Sequence, residues 1–172
     1  CRMFVGNGAR VVIEESLKVS GDPKASRIEE GMKIYGRIFD QNCTYHVTLY
    51  EGIPEMLKAL KDRGIHLAVL SNKTVKVVKE IFGDNIFDYA QGQKDGIRRK
   101  PEPDGVWYLM EQMQGSKEEC LYIGDSEVDA ATGKNAGLKT IGVLWGFRDS
   151  KTLETAGADH LIERPEELLQ FV

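Results

Sequence analysis

From residue 51 onward, short apolar runs alternate with segments of helical periodicity, and this alternation constrains the fold more than any other feature of the chain. The runs are HLAVL at 66–70, CLYIG at 120–124, KTIGVL at 139–144 and the weaker DHLI at 159–162. Between them, IPEMLKALKDRG (53–64) and KTVKVVKEIFG (73–83) each close on a glycine suited to a helix C-cap, and VWYLMEQM (106–113) has helical spacing. Strands and helices in alternation with short loops predict a parallel α/β sheet. Residues 84–99, with their DN, DG and GQ dipeptides, read as an irregular connection with room for a short strand.

Residues 1–46 carry helical patterning only, in two segments separated by Gly21-Asp22-Pro23. The boundary falls near residues 46–50, giving a helical segment at 1–48 and an α/β core at 49–172. A chain of 172 residues, 41% hydrophobic and 29% charged, can bury a full core. Its net charge of −4 argues against a general nucleic-acid partner, which needs a basic surface. No apolar run reaches the roughly 18 residues a spanning helix needs, so no membrane role is expected. Cys1, Cys43 and Cys120 are widely spaced and odd in number, which suggests neither a disulfide framework nor a zinc site and fits a reducing, cytoplasmic setting. The sequons at Asn42 and Asn72 are read as chance matches.

In open α/β sheets ligands bind beyond the carboxyl ends of the strands, and three segments bring polar residues there. In LAVLSNK, Ser71 and Asn72 end a strand and open a helix, where a hydroxyl and free amides can hold a phosphate or simply cap the helix. In RRKPEPDG, Lys100 is stiffened by Pro101 and Pro103, so its ammonium is either aimed at a phosphoryl group or part of a solvated basic run. In LYIGDSEVDAA, Gly124 permits a tight turn, and Asp125 and Asp129 lie one helical turn apart. Two such carboxylates suit Mg²⁺; otherwise Asp125 or Ser126 caps the helix while Glu127 and Asp129 favour its dipole.

The order and content of these stretches resemble the haloacid dehalogenase superfamily of phosphotransferases, in particular its phosphoglycolate phosphatase-like branch with a helical cap. The strand ending in Ser71-Asn72 is similar to that family's second motif, Lys100-Pro101-x-Pro103 to its third, and Gly124-Asp125-Ser126-x-x-Asp129 to its fourth. FVGNGA (4–9) and AGLKTIGVLWG (136–146) resemble its cap and the strand after its metal site. The resemblance covers nearly the whole chain and implies a Rossmann-like three-layer parallel sheet with a partial helical cap. It also implies a Mg²⁺-dependent phosphomonoesterase acting through an aspartyl-phosphate on a small phosphorylated metabolite such as 2-phosphoglycolate. In it Ser71 binds a phosphate oxygen with help from the Asn72 amide, Lys100 neutralises the phosphoryl group, Asp125 ligates Mg²⁺, and Asp129 supports it through water or Lys100.

The family's first motif, an Asp-x-Asp pair ending an N-terminal strand, does not occur in these 172 residues. Its first aspartate is the nucleophile, and its strand lies between the one ending at Leu70 and the one ending at Gly124. Three accounts are open: a fragment of a longer enzyme, a truncated phosphate-binding or regulatory module, or a strand donated by another chain. The first is preferred, because retention of the other motifs then makes sense, and the chain by itself is expected to be inactive. A phosphomutase of the same superfamily is a further alternative. Asn7 and Arg10 are conceivable substrate contacts, whereas Trp107 and Trp145 are read as packing residues.

Overall fold

The computed structural model describes residue 4, residues 8–73 and residues 86–172. The helix expected over 73–83 falls almost wholly outside the described residues, and so does Asn7. The chain divides into two compact units, residues 1–47 and 48–172.

The first unit is a pair of helices, α1 (Ala9–Val19) and α2 (Ile28–Asn42). They approach closely at Gly31, where a Cβ would sit 2.6 Å from Cγ2 of Ile13. An ion pair, Arg10 to Glu29 at 2.7 Å, joins them on the surface. Arg10 is thus held by a carboxylate of its own unit. Along one side, Ile13, Leu17, Ile34, Tyr35 and Phe39 line an open apolar groove of about 480 Å³.

The second unit begins with α3 (Ile53–Asp62), whose apolar face buries Met56 and Leu60. Strand β1 (Ala68–Leu70) pairs in parallel with β2 (Tyr89–Gln91), Ala68 lying opposite Tyr89. The short strand allowed for in 84–99 is therefore present as β2. Helix α4 (Asp104–Met113) leads to a 3₁₀ turn at Lys117–Glu119 and then to β3 (Leu121–Gly124). Next come α5 (Glu127–Ala136), β4 (Lys139–Val143), α6 (Ser150–Ala156) and β5 (His160–Ile162), and a 3₁₀ segment, Pro165–Gln170, ends the chain. Strands β3, β4 and β5 form a parallel sheet in that order, with Leu121 opposite Lys139.

Two apolar clusters cover the strands. Met56 and Leu60 of α3 pack with Leu67, Ile141, Val143 and Ile162, joined by Leu168 of the terminal 3₁₀ segment. Val106 and Met110 of α4 pack with Ala136 and Leu138, joined by Leu70 and Tyr122. Helix, sheet and helix thus form the three-layer Rossmann-like arrangement that the resemblance implies, built on the parallel sheet that the alternating pattern predicts. Trp145 packs against the first cluster. Trp107 departs from its expected packing role: it is 47% exposed, and its indole N–H reaches the Ala136 carbonyl at 3.4 Å.

Among the described residues β1 and β3 belong to separate sheets, with no ladder between them. A cavity of about 300 Å³ lies there, lined from both sides by residues such as Val69, Leu70, Leu121 and Ile123. Ile123, in the middle of β3, is 41% exposed. Strands of a parallel sheet are ordinarily covered on both faces and paired along both edges, whereas among the described residues β1 and β3 have no partner along the edges that flank this cavity.

Candidate active site

The site forms where the chain leaves β1 and β3. The Ser71 amide still donates to the Gln91 carbonyl (2.9 Å), extending the β1–β2 ladder by one bond. Its hydroxyl oxygen then accepts the Lys73 amide at 3.1 Å. The helix that Ser71 was read as able to cap lies outside the described residues, and a hydroxyl that accepts one amide still has its own proton to donate. The Asn72 side-chain carbonyl accepts the backbone amide of Lys100 at 3.2 Å, which ties the end of β1 to the Lys100 loop across 28 residues.

That loop is held from three directions. Arg98 grips Asp104 at the start of α4 with two bonds of 2.9 and 2.8 Å and pairs with Glu102 at 2.9 Å. Asn135 of α5 donates to the Pro101 carbonyl at 2.9 Å. Lys100 is therefore no loose member of a basic run. Its Nζ lies 2.6 Å from Oδ1 of Asp129, and the two side chains are only 14% and 11% exposed.

Asp129 uses its other oxygen too. Ser126 Oγ donates to Oδ2 at 2.5 Å and accepts the Asp129 amide at 3.2 Å, so Ser126 is the N-cap of α5. Both readings of this stretch coexist: the serine caps the helix, and the aspartate one turn in points back to the strand end. Gly124 permits this, because a Cβ there would come within 2.1 Å of the Asp129 Cβ.

Asp125 receives the Phe147 amide on Oδ2 at 3.0 Å. Burial pushes its carboxyl up, the neighbouring charge of Asp129 pushes it further, and the Phe147 amide and Lys100 offset only part of this. Beside it, Arg148 forks onto Glu127 with bonds of 2.5 and 3.1 Å and holds the Glu127 carboxyl below the usual range. Around one point the described chain therefore places two carboxylates against one ammonium, with the Glu127 charge already paired. Among the described residues no group of three or more His, Cys, Asp or Glu side chains could hold a metal. Two carboxylates with an uncompensated charge fit a hard cation that keeps waters and takes further oxygens from a phosphate.

The sequence profile of the haloacid dehalogenase-like hydrolases matches residues 1–143. The chain belongs to that family.

Among haloacid dehalogenase-like relatives, a phosphoglycolate phosphatase of Aquifex aeolicus is 30% identical over 98% of this chain and 77% of its own length. One of Pectobacterium atrosepticum is 28% identical over 98% of this chain and 74% of its own. A provisionally assigned phosphoglycolate phosphatase of Lactobacillus delbrueckii subsp. bulgaricus superposes with a TM-score of 0.89 at 28% identity, over 99% of this chain and 80% of that one. No helix among the described residues is long and apolar enough to cross a membrane.

Against this haloacid dehalogenase-like frame, Lys100 and Asp129 are in direct contact, and Asn72 joins them through the Lys100 backbone. Asp125 is near enough for its carboxyl to respond to both. Ser71 neighbours Asn72 at the end of β1. Pattern reading did not single out Gly146, Phe147 and Arg148, and it gave Glu127 a role only in its alternative reading, as a residue favouring the helix dipole. A usable signal was the glycine in LWGFRD just past an apolar strand, since a glycine there permits close backbone approach.

Proposed function

We propose that this chain carries the phosphate- and cation-binding half of a Mg²⁺-dependent phosphomonoesterase acting on a small phosphorylated metabolite of the 2-phosphoglycolate kind. The observation that carries the reading is the meeting of Lys100, from the loop before α4, with Asp129 of α5 and with Asp125 just past the end of β3. The Ser71 hydroxyl donates to a phosphate oxygen while its own oxygen is fixed by the Lys73 amide. Lys100, braced by Asp129, neutralises charge on the phosphoryl group without having to be reoriented when substrate arrives. Asp125 would hold Mg²⁺, with Asp129 acting at one remove; the cation would supply charge neutralisation at the transferring phosphoryl group.

The attacking carboxylate belongs, in this reading, to a strand seated between β1 and β3. The apolar cavity there supports it, as does the lack of an Asp-x-Asp pair in the 172 residues. A carboxylate oxygen bonds to phosphorus as the bond to the leaving oxygen breaks, that oxygen takes a proton from the second aspartate, and water then releases inorganic phosphate from the acyl phosphate. The purified 172-residue chain is expected to show no Mg²⁺-dependent hydrolysis of p-nitrophenyl phosphate. A chain that carries the Asp-x-Asp strand is expected to hydrolyse it and to lose at least about 100-fold in kcat on Lys100→Ala or Asp125→Ala. Full activity in either variant would refute the reading.

A further inference from the structure

We propose that Arg148 is a positioning residue for Asp125, acting through its fork on Glu127 and through the Phe147 amide that precedes it. The inference rests on the reading of Asp125 as a cation ligand.

The loop from Leu144 to Asp149 is anchored at both ends. The Leu144 amide donates to the Ile162 carbonyl at 3.0 Å, and Asp149 caps α6 by accepting the Thr152 amide at 2.8 Å. Between the anchors its backbone lies directly on Asp125. A Cβ added to Gly146 would stand 2.2 Å from the Asp125 Cβ and 2.4 Å from Oδ2, so only glycine allows this approach. The next amide, of Phe147, is the one bonded to Oδ2. The residue after it, Arg148, closes the arrangement with two parallel bonds to Glu127, two positions beyond Asp125 in the chain. The Arg148 side chain is 15% exposed.

A planar fork on a carboxylate fixes orientation as well as distance. The loop is thereby clasped to the first residue of α5, and the Phe147 N–H is held where it restricts the Asp125 carboxylate to one orientation before any ligand arrives. The same fork neutralises Glu127, which keeps a third negative charge from competing at Asp125 and Asp129. Partners of this kind, which touch the ligating group's supports and not the ligand, govern how well a metal ligand is presented.

Two readouts on the full 172-residue chain test this: exchange of the Phe147 amide followed by NMR, and binding of Mn²⁺ alone. In Arg148→Met the Phe147 amide should exchange faster while the Ile141 and Val143 amides keep wild-type protection, and the Mn²⁺ Kd should rise about 10-fold or more. The charge-swapped pair Glu127→Arg with Arg148→Glu should recover much of both, which a loss of general stability would not allow. Unchanged Phe147 exchange in Arg148→Met, in a protein whose Mn²⁺ binding is lost on Asp125→Asn, would overturn the positioning role and leave the cation reading intact. Equal Mn²⁺ binding by wild type and Asp125→Asn would overturn the cation reading and this proposal with it.

Discussion

Lys100 and Asp129 show what a partly buried ion pair requires of its surroundings. The carboxylate has the ammonium on one oxygen and the Ser126 hydroxyl on the other, so neither charge lacks a partner. Replacing one member strands the other, at a cost of about 3 kcal/mol. Lys100→Met should therefore lower the urea-unfolding free energy by about that much, and adding Asp129→Leu should recover a large part of the loss. Asp125 behaves oppositely. Its carboxyl is pushed up by burial and by Asp129, so the folded chain binds that proton more readily than the unfolded chain does. Ionised Asp125 consequently costs stability at neutral pH, and the cost fades as pH falls through the carboxylate range. Without divalent cations, Asp125→Asn should raise Tm at pH 7, and the gain should vanish near pH 3; a gain independent of pH would contradict the electrostatic account.

At the scale of elements, α5 is where site and scaffold meet. Its N-terminus carries Ser126 and Asp129, and its far end packs on β4 through Gly133. A Cβ at Gly133 would come within 2.2 Å of Oγ1 of Thr140, itself 1% exposed, so the helix lies on the strand at backbone contact distance. Gly133→Ala gains about 1 kcal/mol of helix propensity but forces overpacking that costs more, typically about 1–3 kcal/mol. A net loss of about 1 kcal/mol in chemical denaturation is the expected result. Because α5 aims Asp129, the same variant should weaken Mn²⁺ binding, whereas a substitution on the exposed face of α5, such as Lys134→Ala, should not. The Lys100 loop depends on the same helix, since Asn135 holds the Pro101 carbonyl.

For the whole molecule, the gap between β1 and β3 matters most. Apolar clusters cover both faces of the sheet, yet among the described residues no ladder joins β1 to β3, and each has an unladdered edge towards the cavity between them. A strand seated there would form hydrogen bonds on both sides and cover Ile123 and the half-buried β1 side chains. A chain that bears, ahead of residue 1, a parallel-type apolar strand of about 5 residues ending in Asp-x-Asp should melt well above the 172-residue chain. Amide protection should rise most in β1 and β3. An extended chain with the same Tm and the same protection of those strands would show that the gap does not receive a strand.

The elements themselves were legible in the sequence because their causes are local. Apolar runs of strand length, a glycine past a helix end and a serine before one each act within a few residues, so β1, β3, β4, β5, α3 and α5 lie where pattern and caps put them. The residue types at the strand ends also raised the expectation of a phosphate and a cation that the proposed function rests on. Tertiary structure decided how those residues divide the work: that Asp129 meets Lys100, where the resemblance allowed either Lys100 or water, that Asn72 spends its side chain on the Lys100 backbone, and that Arg148 claims Glu127. These contacts span 29, 28 and 21 residues. Which charge meets which depends on how strands and loops are set side by side, and no period or spacing along the chain encodes that placement.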